Sequence, residues 1–347
     1  MNPYNLSDDQ LAGQRLMVGF DGYDLTPDLK FYIETLKVGG IILFSRNISS
    51  PRQLKKLCSS VQSCAESCGQ PLLFISIDQE GGVVARLKEP FTRFPGNPMM
   101  QGIEDAVKFG EITSSELNQT GINMNMAPVM DVAPKGYKSI MADRMFGYDP
   151  EWVSKLGGAV IESLQKGGVM AVAKHFPGIG RTILDSHLDL PVSDLTLKDL
   201  ENFDISPFKT AVEKNVIGIM LSHIRYAKID KVWPASLSSV IARDILRGDL
   251  GFKGLVITDD LDMGAIQNYY GIELSIDRIF EADIDIALIC HPGPKINRAF
   301  EVFKGKIQDK ARFGPKCMAS VNRIMEIKKR CLSTRRDDGS GKNISIH

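Results

Sequence analysis

The chain has no charge bias: 42 Lys+Arg offset 42 Asp+Glu over 347 residues, a formal net charge of zero. It therefore carries no electrostatic footprint for nucleic acid or an anionic membrane surface, and neither is expected as a partner. No stretch approaches ~18 consecutive apolar residues, so no membrane span is expected. The opening MNPYNLSDDQLAGQ has no basic segment followed by an apolar one, so no signal peptide is expected and the reading is cytoplasmic. The six cysteines, Cys58, Cys64, Cys68, Cys290, Cys317 and Cys331, include no CxxC pair, and none of the three at 58–68 has a neighbouring His. They read as reduced structural thiols. With no HxH on any strand either, no metal and no cofactor are expected. What the chain does have is 43% hydrophobic residues, enough for a large core, and no Gly/Ser/Pro-rich linker to divide it.

Eight short, nearly continuous apolar runs read as strands: 15–20, 40–44, 72–78, 123–131, 169–175, 218–223, 254–259 and 284–290. Continuous rather than alternating apolarity is what a parallel strand buried on both faces requires. Between them lie amphipathic stretches near 26–37, 51–68, 101–120, 149–167, 206–215, 236–250 and 270–282. Ser50-Pro51, Asp149-Pro150 and Ser206-Pro207 each read as a capping residue followed by proline at the first helical position. Eight strands alternating with helices predict an α/β fold, a single-domain (β/α)8 TIM barrel over 1–332. One or two closing helices are expected across 293–332, followed by a polar, disordered tail over 333–347.

In such barrels chemistry collects where the strands end. Asp21, Ser45-Arg46-Asn47, Asp78-Gln79-Glu80, Asp131, Lys174-His175, Ser222-His223, Asp259-Asp260 and His291 all fall at those ends. Four of the five histidines (His175, His187, His223 and His291) lie there or in the departing loops. One rim gathering so many titratable groups reads as an active site.

Three segments carry the sharper signals. In KHFPGIGRTILDSHLDLP (174–191), Gly178 and Gly180 make a loop, and Asp185 stands two residues before His187. On a bent loop the Asp can hold one ring nitrogen, favour the imidazolium and leave the other nitrogen for proton transfer. A turn capped by Asp185 with His187 merely exposed fits the local sequence as well. GFKGLVITDDLDMGAI (251–266) ends a strand in adjacent acids, one suited to nucleophile or metal ligand and the other, Asp260, to capping. IDQEGGVVAR (77–86) places Asp78 at a strand end, then a Gly-Gly turn and Arg86, a pairing that can hold sugar hydroxyls or form a plain surface ion pair. Lys174-His175 could likewise donate to ligand oxygens, or His175 could pack internally.

Through IDQEGG (77–82), KHFPG…DSH…LP (174–191) and GLVITDDLDMGAI (254–266), the chain resembles glycoside hydrolase family 3, in particular its bacterial β-N-acetylglucosaminidase (NagZ-type) branch. DRMFGYDP (143–150) and MLSHIRYAKID…PASLS (220–238) match more weakly, and the resemblance spans about 10–330. It implies a (β/α)8 barrel that needs no metal and removes terminal β-linked N-acetylglucosamine, typically in cytoplasmic recycling of cell-wall muropeptides. It implies Asp259 as nucleophile, His187 as general acid/base and Asp185 as its orienting partner. It implies Asp78, Arg86, Arg144, Lys174 and His175 as holders of the sugar. The chain departs from the pattern at Val83 (commonly Arg), Ile179 (the second His of KHFPGHG) and Arg181 (often small or acidic). RMF also stands for RSF at 144–146, and TDDLDM for SDDLSM.

The resulting expectation is a monomeric retaining exo-β-N-acetylglucosaminidase acting on a carbohydrate substrate through a covalent glycosyl-enzyme. The alternatives are a family-3 β-glycosidase or phosphorylase of other sugar specificity, and a sugar-binding barrel without catalysis. A metal-dependent barrel hydrolase fits less well.

Overall fold

A computed structural model of the chain describes residues 5–332. All eight expected strands are present: β1 Leu16–Val18, β2 Gly40–Leu43, β3 Phe74–Ile77, β4 Met124–Asn125, β5 Met170–Phe176, β6 Gly218–Leu221, β7 Leu255–Asp260 and β8 Ile286–Ile289. They pair in parallel and in sequence order, and β8 closes on β1, giving the expected single-domain barrel. The expected tail, 333–347, lies outside the described residues.

Continuous burial along the strands follows from the two faces they present. Met17, Ile42, Phe74, Met124, Met170, Val172, Met220, Leu255 and Leu288 fill the barrel interior. The intervening residues pack outward beneath helices Pro27–Glu34, Pro51–Ser67, Ile103–Thr120, Pro150–Lys166, Ser206–Glu213, Ile272–Glu281 and Pro294–Gln308, and a π-helical turn at Val240–Asp249. The last helix, Lys310–Leu332, plugs the N-terminal mouth. Its Ile324 and Ile327 join the interior core, and Lys328 bonds to the Gly39 carbonyl at 2.7 Å.

Two local expectations need correction. β4 is far shorter than 123–131, because Pro128 has no N–H to give the ladder, and pairing resumes only as a bridge between Val129 and Lys174. Ser50 and Asp149 cap their helices through side-chain oxygens as expected. Ser206 does not: Ile205 stands at the cap with helical backbone angles, so Ser206 is already inside the helix. Cys58, Cys64, Cys68, Cys290 and Cys317 carry free thiols. Burial pushes Cys58 up to about 12, which leaves it inert at neutral pH.

Candidate active site

The C-terminal ends of the strands surround a cavity of about 270 Å³. Its lining brings together all eight residues singled out from the sequence: Asp78, Arg86, Arg144, Lys174, His175, Asp185, His187 and Asp259.

Asp78 follows β3 directly, and β4 fixes that strand end. Asn125 accepts from the Gln79 N–H and donates to the Gln79 carbonyl, both at 2.9 Å. The chain then reverses at Gly81-Gly82, with φ of +85° and +60°. A Cβ on Gly82 would also lie 3.0 Å from Gly96 Cα, so the turn needs glycine on both counts. The returning strand sets Arg86 against Asp78 at 3.4 Å.

Lys174, near the end of β5, is fully buried between two carboxylates, 2.7 Å from Asp78 and 2.6 Å from Glu80. Arg144 grips Glu80 with a two-pronged fork at 2.9 and 2.7 Å. Burial by itself would raise the Asp78 carboxyl, but Lys174 and Arg86 outweigh it and hold the group at about 2. Burial likewise opposes ionisation of Glu80, and Lys174 and Arg144 reverse that. Glu80 is the residue sequence reasoning missed. It was visible only as one of three polar residues at a strand end, yet it ties Lys174 and Arg144 into one rigid floor.

His175 gives its Nδ1 to Asp131 at 2.8 Å, and the other Asp131 oxygen accepts the Ile179 N–H at 2.8 Å. An Asp carboxylate in that position favours the Nδ1–H tautomer and leaves Nε2 available. Asp131 was noted on the rim but not chosen for the site. Its role is to hold His175 and the start of the following loop.

Asp259 leaves β7 with one oxygen accepting the Asp260 N–H at 2.8 Å. Burial would raise its carboxyl, but His175 and His223 when protonated, the Asp260 N–H that it accepts and the permanent charge of Lys174 hold it below the ordinary range. His223 is itself kept low by burial. Its Nε2 meets the Asp260 carbonyl at 2.8 Å, which can only accept, so Nδ1 accepts from the Ser236 hydroxyl at 2.6 Å. Asp260 is not the helix cap expected of it: Met263 stands at the start of the next helix, Gly264–Gln267, and one Asp260 oxygen instead accepts the N–H groups of Asp262 in the loop and Cys290 after β8. Burial, with Asp262 and Asp259 nearby, raises it to about 6.

Asp185 and His187 stand over this floor on the loop after β5. One Asp185 oxygen accepts both the His187 backbone N–H (2.9 Å) and its Nδ1 (2.8 Å). The turn that the local sequence allowed is therefore real, and the same oxygen orients the ring with Nε2 free. Unlike the floor, the pair is exposed, 68% for the His187 side chain and 46% for Asp185.

The departures sort by position. Val83 is exposed at the hairpin tip, while Ile179 is buried and lines the cavity. Arg181 turns away from the cavity to pair with buried Asp204, its guanidinium 5.3 Å over the Phe203 ring. His291 is on the rim but outside the cavity lining. Among the described residues, Asp260, Asp262 and His291 lie close enough together to hold a cation. Three of the four carboxylate oxygens are already engaged, however: Asp262 bonds Lys295 and the His291 N–H, both at 2.9 Å, and one Asp260 oxygen accepts two N–H groups.

Comparison with known proteins adds to this geometry. The model of the glycosyl hydrolase family 3 N-terminal domain matches residues 9–327. A β-hexosaminidase of Thiobacillus denitrificans is 38% identical over 287 residues, covering 80% of this chain and 78% of the relative. One from Nitrosomonas eutropha is 35% identical, covering 80% of each. Among solved structures, a family 3 β-N-acetylglucosaminidase from Paenibacillus superposes with a TM-score of 0.92 at 34% identity. That match covers 98% of this chain and 65% of the Paenibacillus chain, so the chain spans about two-thirds of that enzyme. NagZ from Neisseria gonorrhoeae, solved with N-trifluoroacetyl-D-glucosamine, superposes at 0.71 with 29% identity, covering 90% of this chain and 97% of that one.

Proposed function

The chain belongs to glycosyl hydrolase family 3, and on that premise we propose that it is a retaining exo-β-N-acetylglucosaminidase. The observation carrying this reading is that Asp259 and the His187–Asp185 pair line one small cavity together with Asp78, Arg86, Arg144, Lys174 and His175. A sugar there meets Asp78 and Arg86, and Arg86 Nε is buried without a hydrogen-bond partner, a donor left for a hydroxyl. The ionised Asp259 carboxylate attacks the anomeric carbon as its bond to the leaving oxygen breaks, and His187 gives its Nε2 proton to that oxygen. The neutral ring then takes a proton from water, whose oxygen displaces Asp259 and releases the sugar. Asp185 holds Nδ1 and so fixes the ring in both steps.

Muropeptide fragments are the source we propose for the sugar, in the cytoplasm and with the protein acting as a monomer. The free thiols support a reducing compartment. No described helix is long and apolar enough to cross a membrane. The test is turnover of aryl β-N-acetylglucosaminide, with and without phosphate, followed by trapping with a fluorinated sugar and mapping of the labelled residue. Label on Asp259 supports the assignment. Label elsewhere, or turnover only with phosphate or with glucosides, replaces it.

A further inference from the structure

The exposed dyad poses a physical problem. An acid/base needs a fixed position relative to the reacting bond, yet His187 lies on a loop with most of its side chain in water. The structure answers with a set of contacts that all come from one short segment after β7. The Gly264 N–H donates to the His187 carbonyl and the Ala265 N–H to the Ser186 carbonyl, both at 3.1 Å. Asn268 Nδ2 donates to the Leu188 carbonyl at 3.2 Å, and the Tyr269 hydroxyl donates to Asp189 at 2.5 Å. Four bonds thus bind four consecutive residues, 186–189, to 264–269. A Cβ on Gly264 would fall 2.5 Å from the Leu188 carbonyl oxygen and 2.7 Å from that of His187, so the approach is as close as backbone allows.

Segment 264–269 begins five residues after Asp259 on the same strand-to-loop path. The other half of the loop is held independently, by the Arg181–Asp204 pair and by the Ile140 N–H on the Thr182 carbonyl at 3.2 Å.

We propose that Asn268 and Tyr269 are positioning residues, a clasp that fixes the proton-donating His187 relative to Asp259. The inference rests on the acid/base role given to His187 above. Tyr269 is half exposed, so losing its hydroxyl does not open the core. The clasp acts on proton delivery alone, and that gives it a signature that a loss of packing lacks. A leaving group that departs unprotonated does not need a well-placed acid, while a basic one does.

The experiment compares kcat/KM for 2,4-dinitrophenyl and for p-methoxyphenyl β-N-acetylglucosaminides in the wild type, Tyr269→Phe, Asn268→Ala and His187→Ala. His187→Ala is expected to lose much more on the p-methoxyphenyl substrate. Tyr269→Phe and Asn268→Ala are expected to follow it in miniature, losing about tenfold on p-methoxyphenyl and less than about twofold on dinitrophenyl. If His187→Ala shows the contrast and both clasp variants match the wild type, or lose equally on both substrates, the clasp is wrong and the function stands. If His187→Ala itself shows no contrast, the acid/base assignment falls and the clasp with it.

Discussion

At the N-terminal end of the barrel, Asp285 is bound by Arg247 at 2.6 Å, by Arg323 at 2.9 Å and by the Val256 N–H at 2.8 Å. Arg15 lies beside it, packed between the Phe280 and Phe303 rings and bonded to the Ile284 carbonyl at 2.6 Å. At the C-terminal end, Asp78, Glu80, Lys174, Arg144 and Arg86 form a cluster of much the same residue types. The difference is where each cluster's spare capacity goes. Below, both Asp285 oxygens are taken up by protein groups, and the closing helix seals the mouth. Above, the cluster and Asp259 line a cavity; each end holds one buried donor without a partner, Arg15 Nη1 below and Arg86 Nε above, but only the residue above belongs to a cavity lining. Buried ion pairs are poor evidence of function by themselves. An ion-pair cluster left open to a cavity is a different case, because its charges have been desolvated without being used up.

That contrast can be broken by substitution at either end. The largest effect is expected from Asp259→Asn, which should cut kcat/KM on an aryl β-N-acetylglucosaminide by about 10⁴-fold while leaving the melting temperature nearly unchanged. A stable variant with near-normal turnover would remove the functional distinction. Asp285→Ala should do the reverse. It leaves Arg247 and Arg323 with Asp283 as their one remaining carboxylate among the described residues and should cost about 3–5 kcal/mol in denaturant unfolding, with kcat of the folded fraction intact. A fall in kcat at full folding would mean that the lower cluster reaches the site.

The third effect sharpens the comparison through pH. Asp78 is held at about 2 in the fold, below an ordinary carboxyl. Its contribution is therefore complete above about pH 4 and is lost as the pH falls toward 2, amounting to about 2 kcal/mol. Asp78→Asn should flatten the stability profile across that window, as read by melting temperature between pH 2 and 5. An unchanged slope would show that Lys174 is satisfied by Glu80 alone. The smallest effect is assigned to Arg86→Lys, which keeps a charge beside Asp78 but removes the unpaired Nε–H. KM should rise about fivefold with kcat held, and equal losses in both would place Arg86 in the chemical step instead.

Much of the architecture was legible because it depends on local rules. Short, continuous apolar runs alternating with amphipathic stretches fit strands buried on both faces, and a cap followed by Pro starts a helix wherever the preceding backbone is extended. The rule failed at Ser206, where the chain arrives already helical, and over 123–131, where Pro128 interrupts the ladder. The site was legible in a different way. All eight candidates line the cavity, but the local spacing of Asp185 and His187 left a turn and a proton relay equally open. The family resemblance favoured the relay, and the structure has the turn and the held ring together, on one Asp185 oxygen. Glu80 escaped notice because a strand-end triplet shows three polar residues without showing which of them face inward.

The sequence by itself determined the order of strands and helices and the set of polar residues at the strand ends, since both follow from periodicity and from residue type. Only the tertiary structure decided the pairings. Lys174 meets Asp78 across 96 residues and Tyr269 reaches Asp189 across 80, contacts that no local pattern encodes. Closing the barrel is what places such distant strand ends around one space. The same closure leaves the charges at one end sealed and those at the other facing a cavity.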